Sequence, residues 1–418
     1  MRESNVLEFK ETVSNTFLKT VSAFANYGTG KVIFGVKDDG TIAGLADNLD
    51  QIRLSIENKI NDSIKPAIRY TLSIDDAKKT ITLTVYEGSN KPYFYQNKAY
   101  RRNDTSSIEV DTHELKNLIL EGQNRTYDSL PSKVDNLTFN YLEQAFQAKL
   151  GIEKLTTDIL ITLQLLNQDK SYSIAGELLS DQNHYLGIDM VRFGDSINVF
   201  LDRTILDGCS LLEQFEVAVA KYRQYYQYEE IIGSERISKE LIPEAAFREA
   251  IANALIHRDW QIPAQIKVAM HKDSIEISSP GGLVNGLSKE EYLTGQLSLL
   301  RNPILGAVFF RLHLIEKFGT GIQRIFASYE GSRIKPSVRI LENSISITLP
   351  IYRESLESLS PDQRAVYGAL ESKPLSSSQI VSATGFGATK VRAILKGLID
   401  AGYVEKHGNG RGTLYACV

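Results

Sequence analysis

A chain of 418 residues, 42% hydrophobic and 23% charged, is long enough for two to four domains that each bury a core. No apolar run reaches the roughly 18 residues of a membrane span, and the opening MRESNVLEFKE lacks the apolar segment of a secretory signal. Two cysteines, Cys209 and Cys417, exclude a disulfide scaffold and a cysteine-rich zinc site, so a cytoplasmic protein with no membrane partner is expected. The net charge of −4 does not point to nucleic acid. Local charge is what phosphates feel, however, and from Ser360 onward seven Lys/Arg face four Asp/Glu.

The spacing of Phe17, Val21 and Phe24 predicts a helix over Thr16–Tyr27, followed by a strand at Lys31–Val36 and a turn at Asp38-Asp39-Gly40. A second helical pattern covers Leu49–Asp62, and the alternating runs Tyr70–Ile74 and Thr80–Glu87 predict a hairpin. The polar stretch from Gln123 to Asn136 reads as a boundary. Helices and strands mix with few landmarks over 137–235, where Tyr222, Tyr225, Tyr226 and Tyr228 cluster beside Lys221 and Arg223. Cations among aromatics can stack bases, but a helix packing its tyrosines on strands is the commoner use. A helix at Pro243–His257 and strands at 264–270 and 273–278 open a further unit, which ends near Tyr352–Pro361. No histidine has metal-ligand spacing to another, and no Walker-type phosphate loop occurs.

Residues 360–418 carry the clearest pattern. Helices are predicted at Pro361–Leu370, Ser377–Thr384 and Ala388–Ala401, and strands at Tyr403–Lys406 and Thr413–Ala416 around a glycine-rich loop. This is the layout of a winged helix-turn-helix. Val391, Ile394, Leu395 and Leu398 mark the core face of the third helix. Thr389, Lys390 and Arg392 stand near its N-terminus, where a recognition helix meets the major groove, and Arg411 in the wing is placed to reach phosphates or the minor groove. The alternative use of such a module is dimerisation or service as an internal lid.

At the other end, residues 3–44 present Glu-Ser…Glu-Phe-Lys, then Ala-Phe-Ala-Asn, then Gly-Val-x-Asp-Asp-Gly. This ordered set resembles the Schlafen AlbA-type domain. The resemblance implies a nucleic-acid-binding α/β domain to about residue 125, with Arg101 and Arg102 as cationic contacts. In bacteria the family is described as DNA-binding, and Schlafen relatives include ribonucleases that cut transfer RNA with three carboxylates and a metal. Carried over, those carboxylates fall on Glu3, Glu8 and Asp38, with Mg2+ or Mn2+ as the ion; Lys10, by its charge, is a candidate for a positive contact to the scissile phosphate. The bland alternative is a Glu8–Lys10 surface pair and an Asp-Asp-Gly turn without chemistry.

On the helix at 243–257, Glu249, Asn253 and His257 recur every four residues and share one face, drifting about 40° per step. Ser279-Pro280-Gly281-Gly282-Leu283, Arg301-Asn302-Pro303 and Glu316-Lys317-Phe318-Gly319-Thr320-Gly321 follow. Together they resemble the RecG-helicase-related C-terminal family, a branch of the GHKL (Bergerat-fold) ATPases, over residues 150–350. The resemblance implies ATP with Mg2+, Glu249 orienting the attacking water and Asn253 holding the metal. It also implies His257, Gly281, Gly282, Gly319, Thr320 and Gly321 around the nucleotide, under a lid at 283–318. Ser278-Ser279 stands where these ATPases carry the adenine-reading aspartate, so the site reads as degenerate.

The expected fold class is therefore α+β and multi-domain: a Schlafen AlbA-like α/β domain, a degenerate GHKL-like α/β sandwich and a winged helix. The expected divisions are 1–125, 137–235 (a connecting α/β region), 236–351 and 360–418. The expected function is a nucleic-acid-binding, transcription-regulator-like protein, with duplex DNA favoured and RNA open. Winged-helix readers of palindromes pair, so a homo-oligomer is expected. A metal-dependent nuclease on structured RNA or DNA, serving in phage defence, is the rival from another class, and a non-catalytic scaffold is the third reading.

Overall fold

The computed structural model describes residues 2–46, 48–232, 235–316, 319–353, 356 and 359–417, the side chains of Ile232, Glu235 and Arg411 aside. The protein is mixed α+β and multi-domain, with three large hydrophobic clusters along the chain. No described helix is long and apolar enough to cross a membrane.

The first body contains β1 (Leu7–Lys10), α1 (Phe17–Tyr27), β2 (Gly30–Phe34), α2 (Leu49–Ser63), β3 (Ile64–Lys65), β4 (Tyr70–Asp75) and β5 (Thr80–Val85). It continues with β6 (Phe94–Tyr95), β7 (Lys98–Asn103), β8 (Ser106–Glu109) and α3 (Thr112–Gly122). One sheet has the order β1-β2-β5-β4, with β1 parallel to β2, and a second has β3-β6-β7-β8. Phe17, Val21 and Phe24 point from α1 into the core, as their spacing requires. Asn26 closes the packing: its amide donates to the Tyr93 carbonyl and its oxygen accepts from the Tyr93 N–H, each within 2.9 Å. Asp111 and Glu114 form a capping box that starts α3.

The polar stretch around 123–136 is more than a linker. Asp128 is fully buried there and accepts from the Ile304 and Leu305 amides at 2.8 and 3.2 Å, so it caps a helix far along the chain.

The central body runs α4 (Asn140–Leu150), α5 (Thr157–Thr162), α6 (Ile174–Leu179), β9 (Ile188–Phe193), β10 (Phe200–Leu206), α7 (Leu211–Tyr226), β11 (Gln227–Ile232) and β12 (Glu235–Glu240). It goes on through α8 (Glu244–His257), β13 (Ile266–Met270), β14 (Ser274–Pro280), α9 (Lys289–Thr294), α10 (Pro303–Arg311), α11 (Gly321–Ala327), β15 (Ser337–Ile340) and β16 (Ser344–Pro350). Its six-stranded sheet has the order β10-β9-β13-β14-β16-β15. Because β9 pairs in parallel with β13, and one hydrophobic cluster spans Leu142 to Leu349, the division expected between 235 and 236 does not separate two cores. Tyr222 and Tyr226 of α7 are buried, Tyr222 stacking on Phe247 of α8 at 4.7 Å, so these tyrosines pack the core. The edge strand β10 and the loop before it leave Ile197, Val199, Phe200, Leu201 and Ile205 exposed.

The last body is α12 (Pro361–Leu370), α13 (Ser377–Thr384), α14 (Ala388–Asp400), β17 (Val404–His407) and β18 (Leu414–Cys417), the two strands antiparallel. Val391, Leu395 and Leu398 are buried against Val366, Leu370 and Ile380. Ser360 and Ser376 cap the first two helices through capping boxes with Gln363 and Gln379.

Candidate nucleotide and nucleic-acid sites

In the central body α8 lies across the sheet with Glu249, Asn253 and His257 on one face. The Gly319-Thr320-Gly321 turn starts the seven-residue α11, and its Gly321 packs directly on Glu249 and Asn253. A Cβ on Gly321 would overlap the Glu249 carboxylate and come within 2.8 Å of Asn253 Nδ2, so a side chain here would push both groups from their present positions. Lys317 and Phe318 of the same motif lie outside the described residues. Burial raises the Glu249 pKa, nearby Arg324 opposing and Glu316 adding to the shift.

The other motifs surround the C-terminal end of α8, where the last carbonyls have no helical partner. Asn302, fully buried, donates from Nδ2 to the Ile256 carbonyl at 2.6 Å and to the Arg258 carbonyl at 2.8 Å. Arg301 donates to the His257 carbonyl at 3.1 Å and the Gly282 carbonyl at 2.7 Å, and pairs with Asp259 at 3.1 Å. Arg258, itself buried, reaches back to the carbonyls of Leu186 and Ala264, fastening the entries of β9 and β13. These motif residues thus fix where α8 ends, which sets the position of Glu249 and Asn253. Gly281 has φ +104°, open to glycine at little cost, and Gly282 packs on the Glu342 carbonyl.

The space between α8 and the sheet is nearly closed. A cavity of about 20 Å³ remains, bounded among others by Asn253, His257, Ile277, Ser279, Gly281 and Tyr292. Tyr292 comes from α9, inside the lid segment, and burial pushes its phenol pKa up to about 12. Gln323 of α11 holds this closure by donating to the Thr294 carbonyl at the end of α9. Ser279 donates to the Ala254 carbonyl at 2.8 Å, so its one proton is engaged, and it lines the cavity with a hydroxyl in place of a carboxylate. Glu249 and Asn253 suit a phosphate-bound Mg2+ by donor type. A nucleotide needs a few hundred Å³, far more than this cavity offers with Tyr292 in its wall.

His257 titrates far from the usual range: burial, then the Arg301 charge, push its pKa down to about 4. The unfolded chain takes up this proton near pH 6.5, so the contribution to stability is complete above that pH and is lost as pH falls through 4. The slope is about 1.4 kcal/mol per pH unit and the sum about 3 kcal/mol. Urea unfolding between pH 7 and 4 should therefore show a steeper acid loss in the wild type than in His257→Gln.

In the N-terminal body the three carboxylates have separate surroundings. Glu8 is buried and pairs with Arg102 at 2.7 Å and Lys10 at 2.5 Å. Glu3 accepts from the Phe9 amide at 2.8 Å. Asp38 is exposed beside the turn, which Asp39 closes by accepting from the Thr41 amide at 2.8 Å. No cluster of three His, Cys, Asp or Glu suited to a metal occurs among the described residues. Arg102 is buried against Glu8, Ser107 and the Ser4 carbonyl, whereas Arg101 pairs with Glu114 at 2.9 Å and Glu342 at 3.3 Å. Both cations expected on a nucleic-acid surface are thus engaged within the protein.

On α14, Thr389, Lys390 and Arg392 are exposed. Lys390 pairs with Asp362 at 2.6 Å and lies over the Phe386 ring. Lys396, four residues past Arg392 and seven past Thr389, joins this face; helical spacing in the sequence was enough to find it. The Arg411 side chain lies outside the described residues.

Residues 3–111 match the family described as "Schlafen, AlbA_2". Residues 263–349 match the family described as "Putative ATP-dependent DNA helicase recG C-terminal". The chain therefore carries a Schlafen AlbA-type domain followed by a RecG-type, ATPase-related domain, a nucleic-acid-related pairing. Among solved structures it is similar to the DIP2311 protein from Corynebacterium diphtheriae, with a TM-score of 0.50 and 19% identity over 99% of this chain and 92% of that one. At that identity the likeness is one of fold. No curated protein sequence matches the chain.

Proposed function

We propose that the protein is a DNA-binding, transcription-regulator-like protein whose C-terminal winged helix docks on duplex DNA and whose central domain senses ATP. The observation that carries the reading is the solvent-facing row Thr389, Arg392 and Lys396 on α14, opposite the buried row Val391, Leu395 and Leu398. A helix with one face in a small core and a cationic face outward is what a major groove receives. Nucleotide entry displaces Tyr292, the lid moves, and the winged helix is repositioned. Pairing into a homo-oligomer suits a palindromic target. The nuclease reading has less support, because Glu8 already has two cationic partners and Glu3 a backbone one.

The test is a gel-shift titration on labelled duplex across a salt series, with and without a non-hydrolysable ATP analogue. Replacing both Arg392 and Lys396 by Ala should weaken binding and lower the slope of log K against log salt by about 2, one released counterion per lost phosphate contact. An unchanged slope removes α14 from the interface. Unchanged duplex affinity with the analogue, when Asn253→Ala abolishes its binding, ends the coupling.

A further inference from the structure

Between α7 and α8 the chain runs out into the hairpin β11–β12, whose strands pair only with each other among the described residues. None of its described side chains is buried, and Tyr228, Ile231 and Ile237 are exposed. A two-stranded hairpin without a packed face is marginal in water. Beyond its ladder it is tied by surface ion pairs, Arg236 with Glu229 at 3.0 Å and Lys239 with Glu230, and such pairs add little. An arm of this kind is stabilised by further strands.

The register shows which edge is free to receive them. The Leu241 amide donates to the Tyr226 carbonyl, and these residues continue the register that runs from Gln227–Glu240 to Ile232–Glu235. Hydrogen-bonded pairs alternate along an antiparallel ladder. Tyr228, Glu230, Ile237 and Lys239 therefore bond inward, and the N–H and C=O groups of Arg236, Ser238 and Glu240 point outward from β12. All three residues are exposed, and none makes a backbone bond to another element among the described residues. On β11 the outward set is Gln227, Glu229 and Ile231, and the Gln227 amide is already given to the Arg223 carbonyl.

The free edge of β12 is complementary to itself. Antiparallel strands in one sheet oppose residues of the same face, so a two-fold axis between two copies passes through a residue. An axis through Ser238 uses all three outward residues: Ser238 meets Ser238, and Arg236 of each copy meets Glu240 of the other. On the opposite face Lys239 lays its alkyl chain along Ile237 of the second copy. Opposite charges facing each other across strands stabilise a sheet, and like charges destabilise it. The β11 edge fails on this count, since an axis through Glu229 or Glu230 sets carboxylate against carboxylate.

We propose that β12 is a dimerisation strand, through which two copies join at Ser238 into a four-stranded antiparallel sheet. The arm gives the homo-oligomer proposed above its surface; it rests on that pairing and needs neither DNA nor ATP. A contact of this symmetry closes at two copies. Strands this short make a weak dimer, which dilution dissociates.

Sedimentation equilibrium of the full-length protein over a dilution series, without DNA or nucleotide, should show monomer and dimer. Ser238→Pro should leave monomer alone, because proline removes the outward N–H and blocks the edge while sparing the bonds of the hairpin. Arg236→Glu and Glu240→Arg should each weaken self-association about tenfold, as attraction across the axis turns to repulsion. Mixed in equal amounts, these two variants should recover the dimer, since every contact between positions 236 and 240 again sets Glu against Arg. Ser238→Pro and Arg236→Glu should keep the urea midpoint of the dilute wild type, as neither side chain is buried. Glu240→Arg should lower it slightly, because Glu240 also accepts from the Glu244 amide at the start of α8. A wild type that is monomeric at every concentration overturns both the arm and the pairing. A dimer that persists in Ser238→Pro, or a mixture that associates no better than either charge variant alone, overturns the arm and leaves pairing to another surface.

Discussion

Asn302→Ala should lower the stability of the protein by about 3–4 kcal/mol, read as a shift in the urea midpoint at constant m-value. The substituted side chain donates to two carbonyls, Ile256 and Arg258, at a place with no solvent exposure. Stranding a buried acceptor costs roughly 1–3 kcal/mol, and here two are stranded at once. Domains are stable by only about 5–15 kcal/mol, so the loss is a large share of the whole. Asn302→Asp should do no better, because a carboxylate brings no donor and sets negative charge against the two carbonyls. The loss should also reach the proposed nucleotide site, since these bonds fix the end of α8 and hence the heights of Glu249 and Asn253. A midpoint within experimental error of the wild type would mean that α8 is held elsewhere.

The second large effect concerns where the chain can be cut. A fragment of residues 236–351 contains the whole RecG-type match but should show no cooperative unfolding transition, whereas 126–351 should unfold cooperatively. The shorter piece loses β9 and β10, leaving β13 as a bare edge with Val268 and Met270 uncovered. It also loses Tyr222, which packs on Phe247 and donates to the Ile242 carbonyl. Starting at 126 keeps the Asp128 cap on α10. Circular dichroism through a urea titration distinguishes the two fragments, and a cooperative transition in 236–351 would refute the single-core description.

Local signals in the sequence carried much of this. The helix α1 and the three C-terminal helices follow from apolar spacing, which is set within a few residues, and Ser/Gln capping pairs fix the starts of α12 and α13. Adjacent cations were harder. Arg101 and Arg102 read as one basic pair, but neighbours on a strand point to opposite faces, so one took an interior partner in Glu8. Strand alternation was the available signal. The pairing of β9 with β13 had none, because register between strands some 75 residues apart depends on packing that spacing cannot express. The role of Arg301-Asn302 was hidden for a similar reason. The motif was visible, but the carbonyls it serves belong to a helix end more than 40 residues earlier. The closure by Tyr292 is likewise a fact of three-dimensional packing.

The strand at the edge of the six-stranded sheet has a consequence for how this protein behaves when it begins to come apart. β10 offers a row of backbone groups with only one neighbouring strand, flanked by Phe200, Leu201 and Ile205 in water. Such an edge is a template for another chain's strand, and heating supplies such strands from partly opened molecules. Aggregation should then overtake refolding, so that the apparent melting temperature climbs with scan rate and the heated sample does not recover on cooling. A lysine at Leu201 should restore reversibility without moving the urea midpoint.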